Sequence, residues 1–298
     1  MQKAIVIGSN GYLGRHLADY LQQQNFATAL FDLQEKSLLP DHPYSRLDIT
    51  QATDFDQLDS TADYIFFMAG LTGTGAGFDR HKEFMHANET GLLNLLQWMR
   101  KSGSQAHIIY PSTRLVYKGV KDYALKESDV KETKTIYAVN KLAAENLLWM
   151  YQNAFDISST IFRICVPYGN VFGGSFSYGT IGFFISQAQQ QGAITLFGDG
   201  SIRRTFTHVS DIAAAMVATI RLPETKNEIY NIGGENLSLL QAAKLVADKY
   251  VAQIKLVDWP DLALRLESGD TVFDDSKLHK ATGYSYGHTL AGWLNSWE

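Results

Sequence analysis

The first fourteen residues, MQKAIVIGSNGYLG, restrict the fold more than any other stretch of the chain. A short apolar run at 4–7 stops at Gly8, Gly11 and Gly14 follow at spacing three, and an amphipathic pattern starts there. Such a segment reads as strand, tight turn, helix. Gly8 lets the chain turn, Gly11 lets backbone approach a diphosphate, and Gly14 lets the helix pack closely on the strand. A helix N-terminus so placed offers N–H groups and a positive dipole end to phosphates. The next apolar run, 27–31, ends at Asp32, where an acid would meet an adenosine ribose hydroxyl. An acid there repels a 2′-phosphate, so the pattern favours NAD over NADP.

Composition bounds the rest. The 298 residues suffice for one large α/β unit or two domains, and 45% hydrophobic content is that of a globular chain. The net charge of −5 argues against nucleic acid or an anionic membrane as partner. Cys165 is the only cysteine, which rules out an intrachain disulfide and a cysteine metal cluster. His81 and His86 are five apart, poor spacing for two ligands on one helix face, so no metal site is expected. The opening apolar run is too short for a signal or membrane segment, and a cytoplasmic protein is expected.

Strand-length apolar runs at 3–7, 27–31, 63–68, 106–110 and 157–163 alternate with helical patterns at 11–24, 54–60, 81–101 and 137–154. Alternation of this kind predicts a Rossmann-type doubly wound parallel sheet, with its ligand crevice at the carboxyl ends of the strands. Gly8, Asp32, Asp48, Ala69, Gly70, Ser112 and Thr113 all fall at such ends. Past Pro167 a Gly-, Ser- and aromatic-rich loop leads into a helix near 180–191, a strand ending at Phe197, a helical segment at 210–222 and a strand at 228–232. The expected division is a cofactor domain over 1–166, to which 206–232 returns, and a smaller interleaved substrate domain over 167–298.

Tyr137 and Lys141 lie four apart at the start of the helical pattern YAVNKLAAENLLWMY, hence on one face. An ammonium beside a phenol favours the phenolate, whose ordinary pKa is about 10. Such a tyrosine can take the proton of a sugar hydroxyl while hydride leaves the same carbon. The spacing alone equally suits an aromatic and a solvated cation. The glycine turn and Asp32 upstream favour the catalytic reading. Ser112 and Thr113, in PSTRLVYKG, read either as an ordinary turn or as hydroxyls beside the reacting oxygen.

With these residues in view, the chain resembles the extended short-chain dehydrogenase/reductase superfamily, in its nucleotide-sugar epimerase/dehydratase branch. The likeness is carried by GSNGYLG (8–14), Asp32, LDIT (47–50), MAG (68–70), NETGLLNLL (88–96), PSTRLVY (111–117), YAVNK (137–141), RICVPYGN (163–170), FGDGSIRRTFTHVSDIA (197–213) and YNIGG (230–234). The resemblance implies Tyr137 as catalytic base, Lys141 as tuner of Tyr137 and holder of the nicotinamide ribose, and Thr113 as catalytic hydroxyl. It implies an NAD site built from Gly8, Asn10, Gly11, Tyr12, Leu13, Gly14, Asp32, Asp48, Ile49, Ala69, Gly70 and Asn88, together with Tyr137 and Lys141. Thr113, Arg114, Phe197 and Arg204 would face the nucleotide sugar, with Arg204 on its diphosphate. It also implies a homodimer joined through the helices around 83–101 and 137–154, on which Leu92, Leu95, Leu96, Trp98, Leu147, Leu148 and Met150 are apolar. Packing on the sheet would explain those residues too.

Three positions depart from the pattern. Arg114 and Leu115 stand where family dehydratases carry Asp-Glu, which argues against 4,6-dehydration. Val166 replaces a frequent Asn, and Lys118 replaces a Gly. The expected activity is an NAD-dependent epimerase inverting C4 of a nucleotide hexose. A reductase of a nucleotide-linked 4-keto-6-deoxy sugar, or a non-catalytic cofactor-sensing protein on the same fold, are the alternatives.

Overall fold

A computed structural model describes residues 1–297. In chain order its elements are β1 Lys3–Ile7, α1 Tyr12–Gln23, β2 Ala27–Asp32, β3 Tyr44–Arg46, β4 Tyr64–Phe67, α2 Ala76–Asp79, α3 His81–Met85, α4 Gly91–Ser102, β5 His107–Thr113, β6 Ala124–Leu125, α5 Ile136–Phe155, β7 Ser159–Ile164 and β8 Val166–Tyr168. There follow α6 Gly179–Gln191, β9 Ala193–Phe197, β10 Arg203–His208, α7 Val209–Ile220, β11 Ile229–Asn231, β12 Glu235–Ser238, α8 Leu239–Tyr250, β13 Gln253–Val257, α9 Asp261–Leu266, β14 Val272–Phe273, α10 Ser276–Thr282 and α11 Leu290–Ser296.

The chain divides into two units. The first comprises 1–116, 135–163 and 216–230; the second comprises 117–134, 164–215 and 231–298. The first is built on a seven-stranded sheet of order β3-β2-β1-β4-β5-β7-β11. Strands β3, β2, β1, β4 and β5 pair in parallel. The order reverses direction between β1 and β4, the point at which a doubly wound sheet opens a crevice. The alternation of strand and helix legible in the sequence therefore describes this unit well. Edge strand β3 escaped it, because its three residues, one half-buried and two exposed, carry no apolar pattern.

Local chemistry explains where the elements begin. Helix α1 buries Gly14, Leu17, Ala18 and Leu21 on one face. A Cβ on Gly14 would lie 2.0 Å from the Gly8 carbonyl oxygen, so a side chain there would push α1 off β1. Helix α5 starts at Thr135, whose Oγ1 accepts the Ala138 N–H at 3.1 Å, and ends at Asp156 in the left-handed region. The helical pattern at 81–101 is interrupted by one wide π turn, His86–Thr90, between α3 and α4. Turns of this kind cluster at functional sites.

The second unit holds a three-stranded sheet of order β12-β10-β8 and two-stranded pairs β13-β9 and β14-β6. Its β10, RRTFTH, was not expected as a strand from the sequence. Val166, the departure from Asn, is buried on β8 beside Phe206 of β10. Among the described residues no helix is long and apolar enough to cross a membrane.

Candidate active site

In the first unit a cavity of about 480 Å³ opens at the ends of β1, β2 and β4, within the size range of small-molecule sites. Gly8, Gly11, Asp32, Asp48, Ile49, Ala69 and Gly70 line it. Gly8 has φ +88°, and a Cβ there would meet the Ala69 nitrogen at 2.5 Å. The turn is thus pinned to glycine twice, by conformation and by the approach of the β4 end. No side chain caps the N-terminus of α1. Ser9 Oγ is buried in the same turn with no hydrogen-bond partner among the described residues. A leftover polar atom beside a bare helix start and an apolar slot suits a dinucleotide. The residues present therefore fit NAD.

Several of the cofactor candidates also brace the cavity. Asp32 accepts the Asn10 N–H at 3.0 Å and the Gln34 N–H at 3.2 Å, tying the glycine turn to the end of β2. The Asn10 side chain is turned to the 34–38 loop, donating to Lys36 O and accepting from Leu38 N. Asp48 Oδ1 accepts from Thr50, and Ile49 O accepts from Asn94 at 2.9 Å. Tyr12 and Leu13 open α1, and Gly14 packs beneath the turn. Asn88, on the π turn, clamps the loop after β4: its Oδ1 accepts Leu71 N–H at 2.8 Å and its Nδ2 donates to Leu71 O at 3.0 Å.

The same unit carries Thr113, Tyr137 and Lys141. Thr113 is buried at the carboxyl end of β5, and its Oγ1 accepts from Leu115 N at 3.3 Å. Arg114 begins the short turn that follows. Tyr137 is half-buried in the first turn of α5. Lys141 lies one turn later, with Nζ 5.9 Å from the Tyr137 ring centroid. Its Nζ donates to Pro111 O at 2.7 Å and to Tyr110 Oη at 3.1 Å. Burial pushes the Lys141 ammonium down to about 7, while the nearby Glu145 acts in the opposite sense.

Beneath these residues lies a buried ion pair that the sequence reading missed. Arg163 donates to Glu145 from Nε at 3.0 Å and from Nη2 at 2.6 Å, and Ser112 Oγ donates to the same carboxylate at 2.5 Å. Glu145 stands four residues beyond Lys141, so its position on the Tyr137–Lys141 face was available from spacing. Its partner from β7 was not.

Arg204 and Phe197 belong to the second unit. Arg204 is 2% exposed. Its Nη1 donates to Arg203 O and Gly269 O, and its Nη2 to Glu267. The guanidinium is therefore already neutralised by a carboxylate, which the family resemblance alone does not reveal. Its Nε–H and one Nη2–H have no acceptor among the described residues. Phe197 is 40% exposed, with its ring 5.3 Å from Trp259. Trp259 also went unnoticed in the sequence, because no periodic pattern surrounds it.

Comparison with known proteins bears on this geometry. Residues 4–233 match the model of the NAD dependent epimerase/dehydratase family. The chain is 29% identical over 264 residues to a Bacillus subtilis (strain 168) protein described as an uncharacterized UDP-glucose epimerase, YtcB, covering 83% of this chain and 81% of the relative. It is 26% identical to the CDP-paratose 2-epimerase of Salmonella typhi, covering 95% and 94%. The fold is shared with the UDP-glucose 4-epimerase of Thermotoga maritima, solved with UDP-glucose, at a TM-score of 0.85 and 20% identity over 98% of this chain and 96% of that one.

Proposed function

Because the chain belongs to the NAD dependent epimerase/dehydratase family, we propose that it is an NAD-dependent nucleotide-sugar epimerase inverting C4 of a hexose. The observation that carries this reading is the set Thr113, Tyr137 and Lys141, held in one unit with a cavity that fits NAD. Arg114 and Leu115 beside Thr113 supply no acid for dehydration, and a relative named as a UDP-glucose epimerase supports the same choice.

NAD, when bound, supplies an acceptor that takes hydride from the sugar and returns it within one turnover. The residues do the rest. Tyr137 Oη takes the C4 hydroxyl proton and later gives it back. Lys141, as an ammonium, favours the Tyr137 phenolate through its charge. Thr113 Oγ1 orients the reacting oxygen. Asp32 is assigned to the adenosine ribose, Asp48 and Ile49 to the adenine, and the backbone of the glycine turn to the diphosphate of NAD. Arg204 is assigned to the sugar-nucleotide diphosphate through the donors that Glu267 leaves free, and Phe197 with Trp259 to its base.

The decisive assay is interconversion of UDP-glucose with UDP-galactose, and of their N-acetyl forms, by NAD-loaded protein. Tyr137→Phe is expected to lower the rate by roughly 10²–10⁴-fold. A broad nucleotide-sugar panel without epimerisation rejects the proposal. Net NADH oxidation on a keto sugar would identify a reductase instead.

A cytoplasmic homodimer completes the reading. Cys165, the one cysteine, is free and buried, as suits a reducing compartment. On α5, Val139 and Met150 are 46% and 50% exposed, with the half-buried Leu142 and Ala143 on the same stripe. An apolar stripe of this spacing fits pairing with its own copy.

A further inference from the structure

Lys141 is 4% exposed, so its ammonium depends on the acceptors that the fold brings to it. Two of its three N–H groups are used, by Pro111 O and by Tyr110 Oη. Glu145, on the same helix one turn on, is not a direct partner. Its carboxylate is taken by Ser112 and by Nε and Nη2 of Arg163. Among the described residues Tyr110 is therefore the only side chain that hydrogen-bonds to Lys141. The Tyr110 ring adds to the hold: Nζ lies 4.3 Å from its centroid, against 5.9 Å for the ring of Tyr137.

The lysine thus stands between two tyrosines of different character. Tyr137 is half-buried at the start of α5. Tyr110 is 1% exposed in the middle of β5, stacked on Phe67 with ring centroids 6.4 Å apart. Burial holds the Tyr110 phenol well above its usual value, and Tyr137, Glu145 and Glu89 push the same way. The neutral phenol is thus favoured, and its oxygen accepts from Lys141. The charged and titratable groups around Lys141 are then Tyr110 on β5, Tyr137 and Glu145 on α5, Glu89 on the π turn and Arg163 on β7.

We propose that Tyr110 is a positioning residue for Lys141: its phenol oxygen and ring hold the ammonium in one place, favour its charged form, and leave one N–H for the bound cofactor. The proposal rests on the role assigned above to Lys141.

Tyr110→Phe keeps the ring and its packing on Phe67 and deletes only the acceptor. The primary measurement is a ¹³C NMR titration of lysine-labelled protein, with the Lys141 signal identified by its loss in Lys141→Met. Removing a hydrogen bond to a charged group should lower the Lys141 midpoint by about one pH unit. NAD affinity, measured by calorimetry, should fall most at pH values between the two midpoints and least below both. In a Lys141→Met background Tyr110→Phe should leave NAD affinity unchanged. If Tyr110→Phe does not fold, Tyr110→Met, which also lacks an acceptor and fills space flexibly, carries the same expectations. An unmoved midpoint, or an affinity loss equal at every pH, overturns the proposal. The titration needs no turnover, so a failed sugar panel would reject the proposed reaction and leave this result standing.

Discussion

At the scale of the residue, Lys141 shows what a buried ammonium costs the fold. Its ordinary pKa is 10.5, and burial brings it to about 7 in the folded chain. Between these values the unfolded chain binds the proton more tightly than the folded one. Folding therefore carries the full cost of Lys141 below pH 7, and the cost fades as pH rises towards 10.5. Lys141→Met should accordingly stabilise the protein at pH 6, by on the order of a few kcal/mol, with a gain that shrinks towards pH 10. Thermal melts across that range test this, and a gain independent of pH would refute the assignment of cause. Tyr137 and Lys141 were legible because four-residue spacing on a helix is a local property. Tyr110 was not, since a strand residue meets Lys141 only after β5 and α5 pack. Arg204 carries the same lesson: the resemblance singled out the arginine, and folding attached Glu267 to it.

Elements expose two further dependences. His107 opens β5 and is bonded on both ring nitrogens, to Ser158 Oγ and Thr160 Oγ1, each at 2.8 Å. Burial, helped by the Lys226 charge, pushes it down to about 4 from 6.5. The folded state resists the proton, so the contribution of His107 is complete above pH 6.5 and is lost as pH falls through 4. Urea midpoints at pH 7 and pH 4.5 should differ strongly in the wild type and much less in His107→Asn. Equal pH dependence in both would dismiss His107 as the cause. The second dependence is the contact of α1 with β1. Gly14→Ala places a Cβ 2.0 Å from the Gly8 oxygen, a backbone atom that cannot swing aside. A loss of roughly 1–3 kcal/mol is expected, together with weakened NAD binding. Gly11→Ala, at 3.1 Å from the same oxygen, should be milder in its melting temperature. The glycine spacing announced this contact, whereas the π turn that delivers Asn88 was hidden inside an ordinary helical pattern, because one extra residue in a turn leaves no periodic mark.

For the whole molecule, the apolar helix residues named from the sequence divide into two sets. Leu92, Leu95, Leu96, Trp98 and Leu148 are buried in the core of the first unit, and the partly buried Leu147 packs against it. Met150 is exposed, with Val139 and the 63% exposed Trp149 on the same helix. Only the second set is available for subunit pairing. Val139→Glu combined with Met150→Glu should convert the proposed dimer to a monomer by light scattering, with the melting of the isolated subunit little changed. A wild-type monomer at working concentration would reject the dimer.

The doubly wound sheet, the family, the glycine turn and the helical Tyr-Lys pair were all legible in the order of residues. Strand-helix alternation, turn chemistry and side-chain spacing act over a few residues and are written in order along the chain. Which partner each buried charge meets came only with packing. Arg163 meets Glu145, Glu267 meets Arg204, and Tyr110 meets Lys141 across separations of 18, 63 and 31 residues. Those partnerships follow from burial, which obliges each charge to find a partner brought to it by packing rather than by sequence.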